Sequence, residues 1–325
     1  MALLSISDLT IDYRRAGRTI RAADGVSFDI ESGSVVGLVG ESGSGKSTLA
    51  LAMMGLLPAN GAVTGGSIRF DGAEMTGLDE AQWRSVRGRR MGMVFQGAMN
   101  SLNPVRRVLD QVAEPIRTHD SSIDKAKASD QARGLLSLVG IPADRHKAYP
   151  YEYSGGMRQR AGIAMALSGG PALLIADEPV TALDVIVQAR ILRLLEDLRE
   201  ALDLTILFIT HDLGVVARLC DRVVVLYAAR AVEEGTVEEI YGHPKHPYTR
   251  ALLQSVPNFA RGRGKSRGIP GTPPSLVSPP SGCRFHPRCP DAMEICATRS
   301  PGWTQFSGEQ VATCHLYGEE GLSNG

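Results

Sequence analysis

The chain has 325 residues, 43% of them hydrophobic and 22% charged, with 35 basic side chains balancing 35 acidic ones. This is ordinary globular composition for one large domain or two, and zero net charge supplies no basic field for nucleic acid or an acidic membrane surface. The most apolar runs, Val223–Ala229 and Ala172–Ala176, are far shorter than the roughly 20 residues of a membrane-spanning helix, and the opening "MALLSISDLTIDYRR" has neither the basic start nor the long apolar core of a signal peptide.

In chain order, "LLSISDLTIDY" and "GVSFDI" alternate apolar and polar residues as half-buried strands do. "SVVGLVG" (Ser34–Gly40) is almost wholly apolar and predicts a buried strand. A helix is expected over Lys46–Leu57, stopped by Pro58. "SIRFDG" and "MGMVFQ" (Met91–Gln96) return to strand character, and from Asn100 to about Leu167 the periodicity becomes helical, as in an insertion of helices. "ALLIAD", "LTILFITHD" and "RVVVLYAAR" then give three strand–helix steps, the pattern of a mostly parallel sheet covered by helices. After Pro257 the character changes. Nine of the chain's 18 prolines lie between Pro257 and Pro301, and so few large apolar residues predict an extended appendage.

"GESGSGKST" (Gly40–Thr48) fits the pattern G-x-x-x-x-G-K-S/T between a buried strand and a helix. Glycines at Gly40, Gly43 and Gly45 let successive backbone N–H groups of Ser42, Ser44 and their neighbours converge on phosphate oxygens. The helix N-terminus adds positive potential, Lys46 reaches the β- and γ-phosphates, and Ser47 ligates Mg2+. "ALLIADEP" brings Asp177 and Glu178 to a strand end. Beside a phosphate loop, Asp177 would hold Mg2+ through water while Glu178 orients and deprotonates the attacking water; alone, the pair could be helix-capping acids. In "YSGGMRQR" (Tyr153–Arg160) Ser154 caps a helix whose first N–H groups Gly155 and Gly156 leave bare. A second anion site in a chain that already has one makes sense if it serves the nucleotide of another subunit.

With these residues in order the chain resembles the ATP-binding subunits of ABC transporters. "SGGMRQR" is similar to their signature motif, joined by the phosphate loop, "LLIADEP", "TALD" (Thr181–Asp184) and "ITHD". The resemblance runs from about Leu4 to Leu253. It implies an α/β P-loop NTPase core, the ABC ATPase cassette, over residues 1–255. That core would carry an antiparallel β subdomain and a helical subdomain at about 100–167, followed by a cysteine-bearing extension over 256–325. It further implies that Gln96 joins Ser47 and Asp177 at Mg2+, that His211 senses the γ-phosphate, that Tyr13 stacks on adenine, and that Thr48 and Asp184 belong to the nucleotide site. "FQGAMNSLNP" and "HPKHPYTRALLQSVP" are similar to segments of the oligopeptide/dipeptide-permease branch. Gly97 and Ala98 stand where that branch usually has Asp-Pro, and Tyr153 where Leu or Phe is common. The implied partners are a second, related ATPase subunit, two transmembrane permease subunits and an extracytoplasmic substrate-binding protein, with the chain peripheral on the cytoplasmic face of the membrane and no nucleic acid bound. The implied activity is ATP hydrolysis driving peptide import; other members serve nickel, glutathione or oligosaccharides. A soluble, non-transport ABC ATPase would usually show two cassettes, a coiled coil or a basic patch, and none is present.

Four of five cysteines, Cys283, Cys289, Cys296 and Cys314, fall in the last fifth of the chain, while Cys220 stands alone. Without close C-x₂-C spacing the pattern leaves chance clustering, a disulfide and a metal site open. A cytosolic ATPase argues against disulfides. A proline-rich segment would gain its fold from a metal, zinc or an iron–sulfur cluster, and the family resemblance favours a [4Fe–4S] cluster on those four thiolates, with His286 and His315 as nearby alternatives.

Overall fold

A computed structural model describes residues 2–255 and 268–318. The chain divides into two compact units, one of Glu31–Ser34 and Gly77–Ile209, the other of Ala2–Ile30, Val35–Thr76 and Thr210–Gly325.

The alternating N-terminal sequence forms β1 (Ala2–Arg15) and β2 (Arg18–Glu31). Ala16 and Gly17 between them both have positive φ, the backbone of the primed turns whose twist matches a tight hairpin. Next come β3 (Val35–Val39), buried at every residue, α1 (Lys46–Met53), β4 (Gly61–Phe70) and β5 (Ala73–Glu74). Strands β2-β1-β4-β5 make one sheet in that order, and the antiparallel register sets Leu4 opposite Phe70 and Ile6 opposite Ile68, all four buried. Helix α1 ends at Met53, short of the expected Leu57. Gly55 takes φ +60, its N–H donates to the Ala52 carbonyl, and the Leu56 N–H donates back to Leu51. That is a Schellman cap, so Gly55 rather than Pro58 ends the helix.

The other unit holds α2 (Glu80–Val86), β6 (Met91–Val94), α3 (Val108–His119), α4 (Lys125–Leu138), α5 (Gly155–Leu167), β7 (Leu173–Asp177), α6 (Val185–Leu202) and β8 (Thr205–Thr210). Strands β6, β7 and β8 run parallel, Met91 beside Leu173 and Leu173 beside Thr205. In α3 the buried residues Val108, Leu109, Val112 and Ile116 recur at helical spacing, as do Ala128, Ala132 and Leu136 in α4; each stripe must bury against a neighbour.

The chain then returns to the unit that holds β3, through α7 (Leu213–Leu219), β9 (Arg222–Tyr227), β10 (Arg230–Thr236), α8 (Val237–Gly242), α9 (Pro247–Ser255), α10 (Glu294–Thr298), β11 (Trp303–Gln305) and β12 (Val311–Thr313). Strand β9 pairs parallel to β3 and antiparallel to β10, and β12 adds to β10 with β11 outside it. The described part of the late segment is therefore not the extended appendage its composition predicts. Phe285 is 1% exposed, with its ring centroid 5.1 Å from Tyr227 and 5.4 Å from Tyr248. Arg284 donates to the Ala228 carbonyl and pairs with Asp24 at 2.6 Å. A few well-placed anchors dock a segment too poor in apolar residues to build a core of its own.

Candidate nucleotide-binding and catalytic site

The phosphate loop turns where only glycine fits. Gly40 has φ +154 and a Cβ there would lie 2.1 Å from the Leu226 carbonyl oxygen; Gly45 has φ +105 and a Cβ would lie 2.2 Å from that of Ala22. Both contacts are with backbone, which cannot swing aside. Gly45 is the N-cap of α1 and no side chain caps its first turn, the helix start that anions favour. Ser42 and Gly43 are exposed at the tip, while Ser44 and Lys46 are buried. The Lys46 ammonium donates to the carbonyls of Gly40 (2.7 Å) and Glu41 (2.9 Å), which holds it across the loop where phosphates would sit.

Two contacts on this loop escape sequence reasoning. The Glu41 N–H donates to the Tyr248 hydroxyl at 2.8 Å, and Arg288 holds the Glu41 carboxylate through both guanidinium nitrogens, at 2.6 and 3.0 Å. No local pattern joins residues so far apart in sequence. Tyr13 is half-buried on β1, opposite Gly61 in the register. A Cβ at Gly61 would meet the tyrosine ring at 2.7 Å, so the ring lies over bare backbone. His211 is exposed, just ahead of Asp212, which caps α7 by accepting from the Gly214 N–H.

The acidic group lies in the unit of β7. Asp177 ends that strand, 4% exposed. Glu178 follows with φ +48, an αL backbone that a non-glycine residue adopts only when its surroundings enforce it. Its Oε2 accepts from Gln96 Nε2 (3.0 Å) and Thr181 Oγ1 (3.1 Å). Gln96 and Glu178 thus meet directly, and Thr181 aims the same carboxylate oxygen. Ser154 caps α5 by accepting from the Met157 N–H. A Cβ at Gly156 would strike Val187 at 2.7 Å, and Asp184 caps α6 through the Val187 N–H. The bare start of α5 is packed on the first turn of α6.

Cys283, Cys289, Cys296 and Cys314 line one cavity of about 10 Å³, with His286, His315 and Asp291. None is in a disulfide, and Cys220 is buried elsewhere. Burial first, then neighbouring groups including other thiols, pushes Cys283 and Cys314 up and Cys289 up to about 11. Four sulfur donors suit a soft metal centre, but the room is about that of one water. Among the described residues no group of three or more His, Cys, Asp or Glu is arranged to hold a metal ion. The four thiols thus converge in a segment that Phe285 and Arg284 also dock.

Residues 23–181 match the ABC transporter family profile, and residues 232–296 that of the oligopeptide/dipeptide transporter C-terminal region. The chain is 48% identical over 316 residues to a probable peptide ABC transporter ATP-binding protein of Sinorhizobium fredii, covering 96% of this chain and 94% of that one. It is 45% identical to a dipeptide transport ATP-binding protein of Bacillus subtilis (97% and 94% covered) and 44% identical to an oligopeptide transport ATP-binding protein of Salmonella typhimurium (98% and 95% covered). Among solved structures it is similar to the dimeric post-hydrolysis state of the ATP-binding cassette MJ0796 bound to ADP and Pi, with TM-score 0.65, 28% identity, and 72% of this chain and 98% of that chain covered.

Proposed function

This chain belongs to the ABC transporter family, in its oligopeptide/dipeptide branch, and from that premise we propose that it is the ATP-hydrolysing subunit of a peptide importer. One observation carries the reading: a formed phosphate cradle with its lysine in place, in a chain that also carries the peptide-transporter C-terminal region. No helix of the described residues is long and apolar enough to cross a membrane. The transmembrane path therefore falls to two permease subunits, with this chain peripheral on their cytoplasmic face and an extracytoplasmic protein delivering peptide.

In this reading the N–H groups from Gly40 to Thr48 receive the ATP phosphates, and Lys46 exchanges its carbonyl partners for phosphate oxygens. Tyr13 stacks its ring on adenine. Ser47, Gln96 and Asp177, a hydroxyl, an amide and a carboxylate, are hard oxygen donors of the kind Mg2+ takes, and the ion would neutralise charge on the β- and γ-phosphates. Glu178, aimed by Gln96 and Thr181, takes the proton of the water that attacks the γ-phosphorus as the bond to the β-phosphate oxygen breaks, giving ADP and phosphate. His211 contacts the γ-phosphate. Ser154, Gly155, Gly156 and Asp184 serve the nucleotide of a second ATPase subunit, so hydrolysis needs a head-to-tail pair. The MJ0796 cassette, solved as a dimer, supports that arrangement.

The test is reconstitution with the two permease subunits and the binding protein in vesicles. ATP-driven peptide accumulation, with turnover rising steeply with subunit concentration, is the expected result. Hydrolysis by a strictly monomeric chain at a concentration-independent specific rate, or no peptide-stimulated turnover, overturns it.

The convergence of four thiols also supports a metal–thiolate centre in the extension, an iron–sulfur cluster before zinc. Protein purified without oxygen and assayed for iron, sulfide and zinc tests this; colourless, metal-free protein whose extension stays docked refutes it.

A further inference from the structure

Glu41 puts a negative charge in the loop that must receive a polyanion. Arg288, from the cysteine-bearing segment, answers it with two bonds to the carboxylate. The guanidinium is itself fixed: Nε donates to the Pro270 carbonyl at 2.7 Å, Nη1 to the Tyr227 hydroxyl at 3.3 Å, and its carbon lies 5.8 Å from the Tyr227 ring centroid. The Arg288 side chain is 6% exposed against 23% for Glu41. Tyr248, tilted against Tyr227 with centroids 4.5 Å apart, accepts the Glu41 N–H. The Glu41 carbonyl in turn accepts from Lys46. One residue of the phosphate loop is thus gripped at its N–H, its carbonyl and its carboxylate, and two of the three grips come from beyond β9.

We propose that Arg288 and Tyr248 are positioning residues for ATP. They neutralise and fix Glu41, so that the loop presents its N–H groups and Lys46 to the phosphates without a competing negative charge. This rests on the ATPase reading. Two forces act in the same direction. An uncompensated carboxylate beside bound phosphates repels them, by an amount that remains substantial in a partly buried setting. A bidentate guanidinium–carboxylate pair also fixes geometry in a way that a lysine cannot. The bridge further places Cys289, the next residue after Arg288, within one peptide bond of a group that touches the nucleotide loop.

The experiment measures ATP affinity of the full chain by equilibrium binding. Wild-type affinity in the micromolar to millimolar range, abolished in Lys46→Ala, tests the ATPase reading itself; differences among the next variants test this inference. Arg288→Gln should weaken ATP binding about tenfold, with little change in the maximal turnover of the nucleotide-saturated pair. Adding Glu41→Gln to Arg288→Gln should restore most of the affinity, because it removes the charge that Arg288 had balanced. A merely structural arginine would gain nothing from that second change. If Arg288→Gln does not fold, Glu41→Gln alone decides: an unopposed guanidinium at the loop should tighten ATP binding, and weaker or unchanged binding overturns the proposal. Wild-type affinity in Arg288→Gln, or no rescue in the double variant, overturns it equally.

Discussion

Replacing Phe285 by alanine should detach the C-terminal segment from the strands it lies on. The ring is 1% exposed and meets Tyr227 and Tyr248 at 5.1 and 5.4 Å between centroids. Loss of a buried phenylalanine costs about 3–5 kcal/mol when the site cannot collapse. Two edge-to-face partners argue for the upper half of that range, since each aromatic pair adds about 0.5–1.5 kcal/mol beyond burial. The chain just before the ring is pinned by the Arg284 side chain to Asp24 and the Cys283 N–H to the Cys296 carbonyl, and just after it by the His286 N–H to the Cys283 carbonyl, so little collapse is expected. The sequence supplies the reporter. Of the two tryptophans, Trp83 lies in α2 and Trp303 in β11 of the late segment; Trp83→Phe leaves Trp303 alone to fluoresce. Trp303 is already 46% exposed, so its emission reports the loss of its remaining contacts; in metal-free protein the urea-derived free energy of that transition should be lower by several kcal/mol in Phe285→Ala, and Phe285→Leu should fall between. A shift under about 1 kcal/mol would mean that something other than this ring holds the segment, and the docking argument would fail.

Glu178→Gln keeps an oxygen that can accept from Gln96 and Thr181 but cannot take a proton; turnover should fall by about 10²–10⁴-fold with ATP affinity unchanged, and wild-type turnover would remove Glu178 from the base role. Tyr13→Ala should raise the apparent KM for ATP while Tyr13→Trp is tolerated, since the ring lies over a residue without a side chain, Gly61; equal KM values for both would make Tyr13 a packing residue only. Glu234 is pushed up to about 7, by burial first and against the opposing pull of Arg222. A carboxyl raised in the fold contributes stability that is complete below its ordinary range near 4.5 and lost as pH rises through 7. Glu234→Gln should therefore stabilise the chain at pH 8, by about 3 kcal/mol at most, and hardly at pH 4; parallel pH–stability curves for the two proteins would refute the assignment.

The nucleotide-loop half of the site was legible because phosphate chemistry dictates it locally: glycines that admit αL backbone, a lysine one step into the helix, a strand before and a helix after. The family resemblance set Gln96 at Mg2+ with Ser47 and Asp177, but its direct bond to Glu178, the aim given by Thr181 and the strained φ of Glu178 emerge only in the fold. The late segment was misjudged for a different reason. Composition counts apolar residues, whereas docking here depends on where a few polar ones reach: Arg284 to Asp24, Arg288 to Glu41 and Gln310 to Glu233. These pairs span 77 to 260 residues and leave no periodic trace. The helix end at Gly55 was missed because proline is the louder signal, although a glycine in αL stops a helix sooner.

Strand β12 touches β10 through only two residue pairs, and β11 and β12 are three residues each. Small as it is, this addition closes what would otherwise be an open flank. Stripped of it, β10 would show a row of unpaired amides to any passing strand, the template on which chains stick to one another. It would also uncover Glu233, wholly buried and bonded to the Lys245 and His246 N–H groups and to Gln310. Shortening the chain just after α9 would thus leave a protein prone to self-association, with every motif of the phosphate loop still in the sequence. The outermost strand that replaces it, three residues long, is too brief to recruit a neighbour.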